Sequence, residues 1–154
     1  MKQNRLMQER IHRVSVLVRE LGYEMHPGDL SEESYDAAFT TPDGFEADLF
    51  IDADSKFLEL AYTFTFSGAM ADFVRERIEE IMHTLYEFGC YFTLQIADEE
   101  IIHTVCSKIY FAGLNYFALK ETVRDFRDAV EAQQEIFEIN FEEERETGDA
   151  HGSS

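Results

Sequence analysis

The sequence reads as one α+β domain, a five-stranded antiparallel sheet with three helices in the order α-β-β-β-α-β-β-α. Three observations predict this. Apolar residues recur at spacings of three and four over three stretches, and at every second position over others, the periods of an amphipathic helix and a half-covered strand. Gly, Pro, Asp and Ser cluster at the boundaries between these stretches. The length of 154 residues suits a single core, and no repeat or linker divides it.

The first helix runs from Leu6 to Leu21, where Met7, Ile11, Val14, Val18 and Leu21 form one stripe that Leu6 and Leu17 widen. Gly22 closes it as a left-handed cap. Tyr23 to Ser34, with Pro27, Gly28, Asp29 and Ser31, reads as a connection with room for a short helical turn at Leu30 to Glu33. Between Tyr35 and Phe66 the period becomes two. Tyr35, Ala37 and Phe39 form one strand, and Phe45, Ala47, Leu49 and Ile51 the next after a Pro42-Asp43-Gly44 turn. Leu58, Leu60, Tyr62, Phe64 and Phe66 form a third after Asp52-Ala53-Asp54-Ser55.

Ser67 is a suitable N-cap for the second helix, whose stripe is Met70, Val74, Ile78, Ile81, Leu85 and Phe88, with Gly89 as its cap. Cys90, Phe92, Leu94 and Ile96 alternate in a fourth strand, Asp98-Glu99 turns the chain, and Ile101 to Phe111 returns as the fifth. Gly113 and Asn115 lead into the last helix, where Tyr116, Leu119, Val123, Phe126, Val130, Gln133 and Phe137 make a nearly strict heptad seam. Residues 1–140 are thus the domain, and 141–154 an acidic, disordered tail.

The net charge of −19 excludes phosphate backbones and anionic membranes as natural partners, because such binding draws on Lys and Arg. No apolar run reaches the roughly 20 residues of a membrane span, so a cytoplasmic protein is expected. The charge is uneven. Lys2, Arg5, Arg10, Arg13 and Arg19 against Glu9 and Glu20 give residues 1–21 a net +3, leaving −22 for the remainder. Either a basic surface recruits an acidic segment, or an acidic sheet accepts a basic one, or the first helix packs on its own acidic body with Glu9 and Arg13 paired. The last is the simplest.

No catalytic pattern emerges, and neither a cofactor nor a metal is expected. There is no Gly-rich phosphate loop. His12, His26, His83, His103 and His151 are scattered without ligand spacing, and read as surface or core residues. Asp52-Ala53-Asp54 lacks the Gly and the closing Glu of a calcium loop, with Thr63 at the closing position. Asp36, Glu46, Asp48 and Glu59 alternate with core residues as a solvated sheet face does. Cys90 and Cys106 read as buried thiols. The many Phe residues would suit a pocket for an apolar ligand, but core packing accounts for them.

The helical seams offer more apolar face than one small core absorbs, and Phe73, Met82 and Tyr86 broaden that of the second helix. A two-fold dimer would hide it.

Val18-Arg19-Glu20-Leu21-Gly22-Tyr23, and Phe111-Ala112-Gly113-Leu114-Asn115 followed by Leu119-Lys120-Glu121-Thr122-Val123, carry a resemblance across residues 4–140 to the class I type III secretion chaperones and the related YbjN family. The resemblance implies a non-enzymatic, chaperone-like adaptor that holds an extended segment of a client as a homodimer, with a client strand added to a sheet edge. Dimer contacts would fall on Phe73, Arg77, Ile81 and Leu85, and partner contacts on Leu6, Met7, Arg10, Tyr62 and Phe64. A regulatory or structural interaction domain of the YbjN kind, without an unfolded client, is the alternative.

Overall fold

The computed structural model describes the backbone of residues 5–152 and the side chains of residues 5–137. The class is α+β, but the sheet has six antiparallel strands and the helices number four, correcting the expectation of five and three. The order is α1 (Arg5–Glu20), β1 (Glu24–Leu30), β2 (Ser34–Thr40), β3 (Glu46–Asp52), β4 (Phe57–Ser67), α2 (Ala71–Glu76), α3 (Ile78–Glu87), β5 (Tyr91–Ile96), β6 (Glu100–Tyr110) and α4 (Tyr116–Gly152). The acidic segment 141–154, expected as a tail, lies outside the described side chains.

The additional strand is β1, in the segment read as a connection. Its Pro27, Gly28 and Asp29 are turn residues by chemistry, but an edge strand bonds one neighbour and tolerates Pro and irregularity. The register with β2 shifts between Pro27 and Leu30. Gly28 is required there, since a Cβ would stand 2.4 Å from the Asp36 carbonyl oxygen. No helical turn forms at Leu30 to Glu33. Instead Ser31 N donates to Ser34 O at 2.9 Å and the chain reverses directly.

The additional helix arises because the expected second helix breaks at Arg77 (φ −108°, ψ 7°). In an unbroken α-helix the Phe73 carbonyl would accept the Arg77 N–H. Here the Arg77 guanidinium takes that carbonyl at 2.9 Å, while the Arg77 N–H donates to Val74 O at 3.0 Å. The guanidinium also lies 3.6 Å from the Phe73 ring centroid.

The strands are ordered β1-β2-β3-β4-β6-β5. Tyr35, Ala37 and Phe39 of β2, Ala47, Leu49 and Ile51 of β3, Leu58 and Leu60 of β4, and Ile101, His103 and Val105 of β6 face the helices and are buried. On α4, Leu119, Val123, Phe126, Val130, Gln133 and Phe137 are buried along the heptad seam, each apolar member contributing about 1.5–3 kcal/mol. Arg10 docks α1 by donating to Asp52 O at 2.8 Å and Ser55 O at 2.7 Å, and Arg13 by donating to Phe111 O at 3.1 Å and to Leu114 O. The helix therefore meets carbonyls. Glu9 pairs with Arg5 at 3.6 Å, not with Arg13 as expected.

One polar pair interrupts this core. His103 and Gln133 are both fully buried, with His103 Nε2 and Gln133 Oε1 3.1 Å apart. Among the described residues, Gln133 Nε2 finds no hydrogen-bond partner and His103 Nδ1 none of good geometry. The imidazole stands among Phe64, Phe92 and Phe137, at centroid distances of 5.9, 5.3 and 5.7 Å. Burial lowers its pKa below the ordinary value, with Gln133 and the Thr93 backbone opposing.

The depressed His103 pKa means that the unfolded chain takes up a proton near pH 6.5 that the folded chain refuses. Its contribution is thus complete above that pH and is lost as pH falls below it. The urea midpoint should drop from pH 7.5 to 5.5, and His103→Leu combined with Gln133→Leu should reduce that drop. An equal drop in both proteins would remove His103 as its source. Separately, Ile81→Asp buries a charge at a site with no exposure, so circular dichroism should show unfolding or a loss of more than about 3 kcal/mol, not a folded protein of changed oligomeric state.

Candidate functional site

The residues assigned above to interfaces are mostly internal. Ile81 (0% exposed) and Leu85 (1%) are α3's contribution to the core, and Phe73 packs toward Phe137 at 6.4 Å between centroids. Arg77 is bound to Phe73 and contacts Glu76 at 3.8 Å. A dimer seam through these four would have to open the monomer. Of the partner residues, Met7 is fully buried and Arg10 is committed to the β3–β4 turn and to the Phe111 ring, 4.1 Å away. Tyr62 and Phe64, placed by the sequence reading on an exposed sheet face, lie half-buried on the helix-covered face, in a ring contact of 5.0 Å with each other. Leu6 alone of the five is exposed. The structure places Met7, Ile81 and Leu85 in the core and packs Tyr62, Phe64 and Phe73 against it, so these six do not form two surfaces.

Side chains on a strand alternate between faces, so burying one set commits the other set to the opposite side. The described helices pack on the same face, and among the described residues no helix covers the other. Reading across the register, one row on it runs Asp36, Phe50, Glu59 and Lys108 over β2, β3, β4 and β6. The next runs Ala38, Asp48, Ala61, Cys106 and Tyr91, and a third runs Thr63, Thr104 and Thr93. Thr63 and Thr104 hydroxyls are 3.2 Å apart. The small residues Ala38 and Ala61 keep the centre low.

The charge on this face is one-sided. Asp36, Glu46, Asp48, Asp52 and Glu59 occupy it, and none has a Lys or Arg partner among the described ion pairs. Burial, with the charges of Glu46 and Asp36 adding to it, pushes the Asp48 carboxyl pKa up. Lys108, the cross-strand neighbour of Glu59, instead lies 4.3 Å from the Phe57 ring centroid and 5.6 Å from that of Tyr91. Phe50 thus stands half-buried between two carboxylates on neighbouring strands, about 5 Å to either side. No described cation lies over its ring.

The Cys90 and Cys106 thiols are buried and free, and burial pushes each up to about 11, so the nucleophilic thiolate is scarce at neutral pH. Among the described residues, no group of three or more His, Cys, Asp or Glu is arranged to hold a metal ion. The largest cavity described, about 680 Å³ between α2–α3 and α4, is lined by Glu76, Arg77, Glu80, Thr84 and Glu135 and is open to solvent. Grooves of about 540 and 500 Å³ run between α1 and β1 beside Ser15, Arg19, Pro27 and Tyr35. No described helix is long and apolar enough to cross a membrane.

The Asp36–Phe50–Glu59 row escaped the sequence reading because its members lie on three strands. The alternation of Asp36, Asp48 and Glu59 with core residues was the available signal, and it located the face without locating the ring between the charges.

No protein-family model matches the chain, and no curated protein matches it. The fold is shared with the crystal structure of an uncharacterized protein from Methanothermobacter thermautotrophicus, at a TM-score of 0.63 and 21% identity over 86% of this chain and 98% of the other.

Proposed function

We propose that this chain is a non-enzymatic protein-binding domain, a chaperone-like adaptor that holds an extended, cation-bearing segment of a partner protein on its uncovered sheet face. The observation that carries the reading is the Asp36–Phe50–Glu59 row, with Asp48 one step along β3. An ammonium or guanidinium set over an aromatic face gains about 0.5–2 kcal/mol. Flanking carboxylates add charge-assisted hydrogen bonds that fix its position. The protein's own cations already use rings in this way, as Arg10 does on Phe111 and Lys108 on Phe57. The face extends over several neighbouring strands, which suits a polypeptide better than a small molecule needing enclosure.

The expected measurement uses a short oligolysine peptide and amide chemical-shift mapping. Shifts should centre on Asp36, Asp48, Phe50 and Glu59, and Asp36→Asn with Glu59→Gln should weaken binding about tenfold, a loss of about 1.4 kcal/mol. Glu79→Gln with Glu80→Gln, removing two charges from α3, should leave it nearly unchanged. If both pairs of substitutions weaken binding equally, the peptide senses only the net charge and the assignment to this face is wrong.

A further inference from the structure

The two edges of the sheet differ in a way that bears on how a partner's main chain docks. An edge strand leaves a row of backbone N–H and C=O groups without a strand neighbour, and proteins ordinarily blunt such edges with proline, bulges or charge. At one edge, β1 is blunted by all three: Pro27, the register shift between Pro27 and Leu30, and Glu24 and Asp29. At the other edge β5, Tyr91-Phe92-Thr93-Leu94-Gln95-Ile96, has no proline and no charged residue, and its six pairs with β6 run in unbroken register. In a chain that is 29% charged, this strand is unprotected.

Helix α3 completes the surface. Ile81 and Leu85 point into the core, and Arg77, Glu80 and Thr84 line the cavity toward α4. At 3.6 residues per turn the opposite flank of α3 carries Met82 and Tyr86, 50% and 81% exposed. Because α4 packs on β6 while α3 packs on β5 and on α4, that flank is the side of α3 turned away from α4, toward the β5 edge of the sheet. Phe92, Leu94 and Ile96, half-buried on the same side, end at that edge.

We infer that β5 accepts a seventh strand from a partner protein, with the partner's alternate apolar side chains beneath Met82 and Tyr86 and its intervening small polar ones continuing the Thr63–Thr104–Thr93 row. This rests on the reading that the chain holds an extended segment, and adds a second place of docking for another stretch of the partner, since β4, β6 and β5 separate this edge from Phe50. Charge selects the occupant. Glu79 shares the Met82 flank, and Asp98, Glu99 and Glu100 border the C-terminal end of β5, so a matching strand carries Lys or Arg at its ends. A second copy of this chain would bring the same carboxylates, with Lys108 held on the Phe57 and Tyr91 rings. The occupant is therefore a different, cationic segment.

The test is amide hydrogen exchange with a synthetic peptide alternating valine and threonine and ended by lysines, alongside light scattering. Exchange should slow across Tyr91–Ile96 and not across β1, on a protein that stays monomeric without peptide. Met82→Glu with Tyr86→Glu, both exposed and compatible with folding, should weaken peptide binding about tenfold. Slowed exchange at β1, no slowing at β5, or a homodimer paired through β5 would each overturn the inference. Because oligolysine reports on the sheet face and the valine–threonine peptide on the edge, either surface can fail while the other stands.

Discussion

Coverage of the sheet on one side only is the constraint from which most of this structure follows. β4 and β6 are eleven residues each and pair along their whole length, giving the helices a wide apolar floor. Once α4 packs on β6, α3 on β5 and α1 on β1 to β3, most of the apolar stripes are buried within one molecule, while Met82 and Tyr86 stay exposed. Alternation along each strand then sends the carboxylates of β2, β3 and β4 to the opposite side, where no described element answers them. The acidic face and the buried stripes are two results of the same packing.

Arginine does the joining at places where apolar packing alone would leave carbonyls stranded. Arg10 and Arg13 bring α1 against the β3–β4 turn and the approach to α4 by donating to main-chain oxygens, and Arg77 replaces a helical hydrogen bond with its own side chain. Arg127 ties α4 to Asp43 in the β2–β3 turn, lies 5.3 Å from the Phe45 ring centroid, and holds the Asp43 carboxyl at about 2 through its hydrogen bond. In a chain with 13 basic residues against 32 acidic ones, spending cations inside the domain leaves the exterior more negative. The His103–Gln133 pair is the opposite case. It places two incompletely bonded polar groups in a cage of phenylalanines, where each unmet group costs stability that an apolar pair would not.

Much of the architecture was legible because local chemistry decides it. Gly22 and Gly89 cap their helices with φ of 82° and 69°, and Gly44 turns the β2–β3 hairpin at 94°. Asn115 caps α4 through its side chain at 2.9 Å to the Ala118 N–H. The α4 seam is buried as its spacing requires. β1 was not legible, since an edge strand with Pro27 and Gly28 carries no alternation strong enough to outweigh their turn chemistry. The break at Arg77 was hidden as well, because the periodicity of Val74, Ile78 and Ile81 continues through it, and a guanidinium bonding back to Phe73 leaves no trace in a hydropathy pattern.

The sequence by itself determined the α+β class, the acidic balance, most element boundaries and which residues alternate together. Only the tertiary structure decided which of the alternating sets faces the helices. Tyr62 and Phe64 share one set and Glu59 and Thr63 the other, and the pattern labels these as two faces without saying what lies on either. Ile81 and Leu85 make the same point, for an apolar stripe announces that it must be covered and is silent on whether its own sheet or another molecule covers it. Periodicity is a property of one element, whereas burial is a property of the pair that meets.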